Sequence, residues 1–186
     1  SASYRRDASS AFHPDNRWGN FWSIGAGWLM NKEAFLENQK WIDMLKFKIS
    51  YGLQGNDNLM YEGGLYRNYY PYMDQYTLAN SNGDFSTSLY YKGNPDITWE
   101  TSHSFNTGFD FTFWGGKLSG SAEYFSRKTT DMLYFKPVSP SMGYSRFPEN
   151  VGSMVNRGVE LDLNSNIINT KDFTWDINFN LTHFKN

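Results

Sequence analysis

The side chains that could perform chemistry in this sequence are carboxylates, histidines and tyrosines, because the chain contains no cysteine. The carboxylates of interest lie in segments whose alternating pattern predicts β-strands, and they are Asp110, Glu123, Glu160, Asp162 and Asp176. Two carboxylates can act as acid and base on a glycosidic bond when they lie about 5 to 10 Å apart. The sequence places no two of them at such a separation, so we interpret them as polar residues on a solvated face of a sheet.

The remaining candidates for metal chemistry are weak. His13, His103 and His183 are isolated and do not show the spacing of a metal site. Residues 56–58, Asn-Asp-Asn, resemble the start of a calcium-binding loop, but the glycine and the distal glutamate of such a loop do not follow at the required positions. The sequence therefore predicts no metal site, no cofactor and no catalytic residue.

Tyrosines are concentrated in a polar segment between residues 56 and 96. A tyrosine ring can pack against a sugar or against a partner protein. Alternatively, the same rings could fold a long loop onto itself and form a small core. The candidates for contact with a substrate or a partner are Tyr61, Tyr66, Tyr69, Tyr70 and Tyr72.

Composition excludes several functional classes. The 186 residues include 17 basic and 19 acidic side chains, which gives a net charge of -2 and argues against binding to nucleic acid. Without cysteine there can be no disulfide and no thiolate metal site. The mean hydropathy is -0.65, and no stretch is long and apolar enough to predict a transmembrane helix.

Strict alternation of apolar and polar residues is the main structural signal, because successive side chains of a strand point to opposite faces. It is clearest in Leu45–Gln54, His103–Phe113 and Phe173–His183. The pattern predicts an all-β fold, an antiparallel meander of about seven strands. The expected strands are residues 1–6, 19–30, 44–55, 98–114, 117–133, 153–168 and 173–186, with one helical turn near Glu33–Glu37.

The predicted connections alternate in length. Residues 114–117 and 169–172 are tight turns, whereas residues 6–17, 56–96 and 134–152 form long loops. Short turns at one end and long loops at the other are typical of an outer-membrane β-barrel, whose apolar face contacts lipid. Alternation also occurs in a soluble β-sandwich. A soluble carbohydrate-binding module and a β-rich glycosidase therefore remain as alternatives.

Seven strands are too few for a closed bacterial barrel, for which about eight strands is the minimum. An open sheet would leave two long strands without partners at its edges. We therefore expect residues 1–186 to be a partial segment of a larger transmembrane barrel.

Several blocks of the sequence resemble the barrel of TonB-dependent transporters of the SusC/RagA type. They occur in the same order as in that family and cover almost the whole chain: residues 5–28, 45–56, 93–100, 150–163 and 172–186. A mild departure is Ala8, where the family usually has glycine. The motif positions expected to have structural roles are Arg17, Trp18, Gly19, Asn56, Pro95, Trp99, Glu100, Gly152, Gly158 and Glu160.

The resemblance implies an importer of glycans or oligopeptides in the outer membrane of a Gram-negative cell, not an enzyme. It also implies a barrel of about 22 strands with a plug inside it, of which this chain would form wall and extracellular loops. The expected partners are outer-membrane lipid, a surface lipoprotein of the SusD type, and TonB, which would act through a plug region that this sequence does not contain.

Overall fold

The computed structural model of the protein describes residues 1–60 and 66–186. Within these residues the β-strands are β1 Ala2–Ala8, β2 Trp18–Leu29, β3 Ile42–Asn56, β4 Gln75–Ser81, β5 Asp84–Tyr91, β6 Glu100–Phe113, β7 Leu118–Pro137, β8 Arg146–Asn169 and β9 Thr174–Lys185. Seven strands form one antiparallel sheet in the order β1-β2-β3-β6-β7-β8-β9. The predicted all-β antiparallel meander is confirmed.

The register of the sheet separates the side chains into two faces. One row of paired residues, from β2 to β9, is Trp28, Phe47, Phe109, Ala122, Leu161 and Leu181. The next row, from β3 to β9, is Lys48, Gly108, Glu123, Glu160 and Thr182. We call the side that carries the first row the apolar face and the side that carries the second row the polar face.

The apolar face has no layer of protein over it among the described residues. Side chains near its centre are about half exposed, including Val159 at 48% and Phe179 at 50%. The strands outside the large sheet are β4 and β5, which form a separate two-stranded hairpin. In a β-sandwich this face would be buried against a second sheet, so the structure does not support the soluble alternative. An apolar surface of this extent requires a partner such as lipid.

The connections alternate in length as predicted. At one end, the turn end, residues 114–117 and 170–173 connect strands tightly, and Asp43 accepts hydrogen bonds from the backbone of Gly115 (2.7 Å) and Gly116 (3.1 Å). Residues 30–41 contain a 3-10 turn, Met30–Lys32, and then a bond of 2.9 Å from the Glu37 N–H to the Glu33 carbonyl. The expected helical turn is therefore present. No helix in the described part of the chain is long and apolar enough to cross a membrane.

The opposite end, the loop end, differs from the prediction in two respects. The segment predicted as a loop over residues 56–96 contains the hairpin β4–β5, because Asn82 (φ 52°) and Gly83 (φ 95°) adopt the left-handed conformation that a tight hairpin turn requires. The loop predicted over 134–152 is shorter, since β7 and β8 pair as far as Pro137 and Arg146. Their ladder continues past a kink where Asp131 and Gly152 both have positive φ.

The two faces predict different responses to a buried charge. Phe179 lies on the apolar face, and its neighbour Asn178 lies on the polar face. In the full-length protein, Phe179→Arg should lower the free energy of unfolding by about 2–4 kcal/mol, because it places a cation in lipid. Asn178→Arg is the matched control and should cost less than about 1 kcal/mol. Denaturant titration of folding into lipid vesicles measures both values, and equal costs would contradict the assignment of the faces.

Candidate functional site

The buried core of this protein lies among the loops. Phe12, Leu59 and Ile97 are at most 2% exposed and form one cluster. The partly buried hydrophobic side chains that pack against this cluster are Tyr72, Trp99, Leu133 and Phe135. The first three residues come from two different loops, whereas Leu133 and Phe135 come from β7. The loops at this end therefore fold onto the sheet as one unit with its own hydrophobic core.

Residues 93–100, which we call the hub segment, connect these loops. The indole N–H of Trp99 donates to the Arg17 carbonyl at 3.0 Å. Asn94 donates through its backbone to the Pro71 carbonyl (3.0 Å) and through its side chain to the Pro148 carbonyl (2.9 Å). These bonds tie the segment to three separate parts of the chain. Gly93 packs so closely against the backbone of Met73 that a Cβ atom would not fit there.

Several motif residues belong to the hub segment or pack against it. The Trp99 ring lies edge-on to Phe12 at 5.5 Å and to Phe21 at 5.2 Å between ring centroids. A Cβ atom on Gly19 would overlap the Phe21 ring, which explains why this position is glycine. The Pro95 carbonyl accepts from the Asn16 amide at 3.0 Å.

Asn56 and Glu100 connect three strands. The Asn56 amide donates to one carboxylate oxygen of Glu100 at 3.1 Å, and the other oxygen accepts the backbone N–H of Leu133 at 3.1 Å. Asn150, which the sequence analysis did not single out, completes the junction. Its side-chain amide accepts a hydrogen bond from the Thr98 N–H and donates one to the Thr98 carbonyl, both at 2.9 Å. The sequence signal that could have identified Asn150 is its position as the first residue of the motif block 150–163.

The other motif residues lie further from the hub. Trp18 is exposed and stacks under the Arg6 guanidinium at 4.6 Å from the ring centre. Gly152 sits at the kink in β8, where its φ of 62° favours glycine. Gly158 is buried beneath the Phe125 ring. Glu160 lies on the polar face opposite Glu123.

The candidate tyrosines divide into two groups. Tyr66, Tyr69 and Tyr70 are exposed at 72%, 59% and 54%, and they lie close together in the sequence. Tyr72 instead packs against the buried cluster. Tyr61 lies outside the described residues.

A buried tyrosine was missed as a structural residue. Tyr91 is fully buried, and its hydroxyl accepts from the Asn68 amide at 2.7 Å and donates to the Tyr70 carbonyl at 3.2 Å. These bonds hold the backbone on which Tyr69 and Tyr70 are presented. Its place at the end of the missed strand β5 was the available signal.

The carboxylate of Asp57, in the sequence that resembles a calcium-binding loop, is bound to other side chains of the protein. Asp57 accepts a hydrogen bond from the Ser9 hydroxyl at 2.6 Å and forms an ion pair with Arg67 at 2.6 Å. Among the described residues, no three His, Cys, Asp or Glu side chains come together as a potential metal site.

A cleft of about 600 Å³ opens beside the hub. Its walls come from the end of β3 and the residues that follow it, from the start of β6, and from the paired ends of β7 and β8. They include Asn56, Asn58, Glu100, Tyr134 and Arg146. The cleft thus combines amide, carboxylate, phenol and guanidinium groups, which suit a polar ligand with hydrogen-bonding groups.

On the polar face, the structure brings two of the five carboxylates onto one lysine. Lys48 Nζ lies 2.7 Å from Asp110 Oδ1 and 2.6 Å from Glu123 Oε1. It reaches Glu123 across Gly108, where a Cβ atom would collide with Glu123. Both carboxylates share the same cation, which makes them a structural link across three strands.

Comparison with known proteins identifies the family. The family model "TonB dependent receptor-like, beta-barrel" matches residues 1–186. The chain belongs to this family. The TonB-dependent receptor SusC of Bacteroides thetaiotaomicron is 33% identical over 187 residues, an alignment that covers 96% of this chain and 18% of SusC. This confirms the resemblance to TonB-dependent transporters of the SusC/RagA type.

Solved structures of family members have the same fold. The RagAB peptide importer in its closed-closed state matches 98% of this chain and 19% of the importer chain, with a TM-score of 0.85 and 31% identity. In the open-open state the TM-score is 0.79, again at 31% identity. The chain therefore spans about a fifth of the length of the relatives it matches.

The hub predicts a specific role for one hydrogen bond. Trp99→Phe keeps an aromatic ring between Phe12 and Phe21 but removes the donor to Arg17. We expect a loss of about 1 kcal/mol in stability and faster proteolytic cleavage within residues 9–17 of the full-length protein. Trp18→Phe, at an exposed position, is the control and should change neither quantity. Unchanged cleavage in Trp99→Phe would show that the bond does not hold this loop.

The ion pairs of Lys48 on the polar face predict an effect on stability. Lys48→Met should destabilise the barrel by about 1–2 kcal/mol, since Asp110 and Glu123 would then lack their shared cation. Lys46→Met is the control. Lys46 lies two residues before Lys48 on the polar face, and the described residues show no ion pair for it, so its replacement should leave the stability nearly unchanged. Thermal unfolding of the two full-length variants in detergent compares them. A larger effect of Lys46→Met would refute the cluster as the stabilising contact.

Proposed function

We propose that this chain forms wall and mouth of a TonB-dependent importer in the outer membrane of a Gram-negative cell. The single observation that carries the proposal is the sheet itself, whose apolar face is uncovered while its opposite face is polar and crossed by ion pairs. A barrel wall between lipid and a hydrated interior requires this combination. Family membership supports the same conclusion.

The loop end is proposed as the extracellular mouth, because outer-membrane barrels carry short turns on the periplasmic side and longer loops outside. The buried cluster and the hub make these loops a rigid rim. A surface lipoprotein of the SusD type is the proposed partner at this rim. TonB would act from the periplasmic side, through a plug region of the complete protein.

The proposed substrate is a glycan or an oligopeptide. RagAB is a peptide importer, and the glycan class enters the proposal through the family resemblance described in the sequence analysis. Tyr66, Tyr69 and Tyr70 are the proposed contacts for the substrate or for the lipoprotein, because they are exposed while their backbone is held by Tyr91 and Asn68. Rigidly held aromatic rings bind with a small loss of conformational entropy.

The location of the full-length protein tests the proposal. It should be recovered from the outer-membrane fraction of its native cells as a species that migrates differently on a gel before and after heating. Deleting its gene should abolish growth on either oligopeptides or oligosaccharides as a sole nutrient, and the affected nutrient identifies the substrate class. Recovery in the soluble fraction would reject the proposal.

The tyrosines are tested separately. Replacing Tyr66, Tyr69 and Tyr70 together by alanine should weaken binding of the transported nutrient or the lipoprotein roughly tenfold or more, since each ring contributes about 0.5–1.5 kcal/mol. Tyr76→Ala removes another exposed ring, from β4, and serves as the control. Calorimetric titration with the nutrient and with the purified lipoprotein measures the two affinities. Wild-type affinity for both would contradict the assignment of these rings.

A further inference from the structure

The charged residues of the apolar face are nearly all cationic. Among the regularly paired residues of this face, Arg6, Lys128, Arg157 and Lys185 carry positive charge without an ion pair in the described part of the chain. Lys136 is paired with Glu149 at 3.1 Å, and this glutamate is the acidic residue of the face. The charge on the apolar face is therefore almost entirely positive.

Three of these cations lie at a common distance from the turn end. Lys128 is ten residues beyond the start of β7, Lys185 is eleven beyond the start of β9, and Arg157 is twelve before the end of β8. With about 3.3 Å per residue and a tilt of about 40°, they lie roughly 25–30 Å above the turns. The apolar band of an outer-membrane barrel is about 25 Å tall. These residues, which we call the cationic belt, therefore stand where the hydrocarbon ends.

A groove of about 340 Å³ lies beside the belt on the same face. It is lined by Tyr51, His103, Phe105, Ser126 and Lys128. The Tyr51 hydroxyl and the His103 Nδ1 are 3.0 Å apart and share a hydrogen bond. The groove thus offers an ammonium, hydroxyls and an imidazole above an aromatic wall, which suits a phosphate attached to an apolar body.

The arrangement of the cationic belt would also be stabilised by a bound anion. Ser126 is paired with Arg157, and Arg157 is paired directly with Lys185 on the neighbouring strand. Like charges directly opposite each other in a sheet destabilise it. All three belt side chains are exposed. An anionic group located between these cations would remove the repulsion.

We propose that the cationic belt and its groove bind the phosphate-bearing headgroups of anionic lipids in the membrane leaflet at the loop end. This inference rests on the proposed placement of the chain in a membrane. The headgroup phosphate contacts Lys128, Arg157 and Lys185, and the lipid chains lie along the apolar face below them. The belt then fixes the height of the barrel in the bilayer and attracts a shell of anionic lipid.

Spin-labelled lipids test this in the full-length protein reconstituted in phosphatidylcholine vesicles. The wild-type protein should immobilise spin-labelled phosphatidic acid at least about fivefold more strongly than spin-labelled phosphatidylcholine. The triple variant Lys128→Gln, Arg157→Gln, Lys185→Gln should lose this preference. Arg127→Gln is the matched control, because Arg127 is adjacent in β7 but points to the polar face, and it should retain the preference.

The possible outcomes separate the two proposals. If neither lipid is immobilised, the protein is not surrounded by lipid and the proposed function fails. If both lipids are immobilised equally by the wild type, or if the triple variant keeps the preference, the membrane placement stands and the headgroup site is refuted. Added inorganic phosphate at about 10 mM, ten times a dissociation constant of about 1 mM, should leave the preference intact. Loss of the preference would identify a site for free phosphate instead.

Discussion

The structure depends on one constraint: a single sheet has two faces and cannot bury either of them by itself. Except at the outer edges of β1 and β9, its backbone groups are satisfied by the ladders between neighbouring strands, but the side chains obtain their environment from outside the sheet. On the apolar face many rings and aliphatic chains remain exposed, such as Val159 at 48% and Phe179 at 50%. On the polar face, contacts such as the Lys48 ion pairs join strands that are not adjacent. The sheet is therefore a boundary between two surroundings, which is what a barrel wall must be.

Because the sheet contains little core of its own, the packing that resembles a globular protein is concentrated at the loop end. Phe12, Leu59 and Ile97 are buried there, and the hub segment bonds to the chain near Arg17, Pro71 and Pro148. This explains why the family motifs around residues 17 and 99 combine aromatic residues with glycine. Phe21 needs the space that Gly19 leaves, and Trp99 needs both Phe21 and a carbonyl acceptor.

The sequence was sufficient to predict the meander, because alternation with a period of two leaves one consistent assignment for each strand. It also predicted the short turns, where residues such as Gly115 and Gly116 take positive φ. The sequence analysis does not predict the hairpin β4–β5, although Asn82-Gly83 is a strong hairpin signal, because it treats residues 56–96 as one long loop. The sequence analysis ends the loop at Gly152 and so does not predict the continuation of β7 and β8, because a glycine that kinks a strand gives the same sequence signal as one that ends a loop. The burial of Tyr91 and the exposure of Tyr66 could not be separated, because both lie in one tyrosine-rich segment and differ only in tertiary contacts.

The proposed vertical position of the chain in a membrane rests on two groups of side chains on the apolar face. Near the turn end, Trp28 and Trp175 are about half exposed, as indole rings are at a headgroup boundary. About ten residues further along the strands, Lys128 and Lys185 mark the point where charge first becomes tolerable. Between these two levels the regularly paired residues of the face include no Lys, Arg, Asp or Glu. A soluble sheet would gain nothing from keeping its charges at one height, whereas a sheet in a bilayer must do so. The position of the cations is therefore an argument for membrane insertion that is independent of any family resemblance.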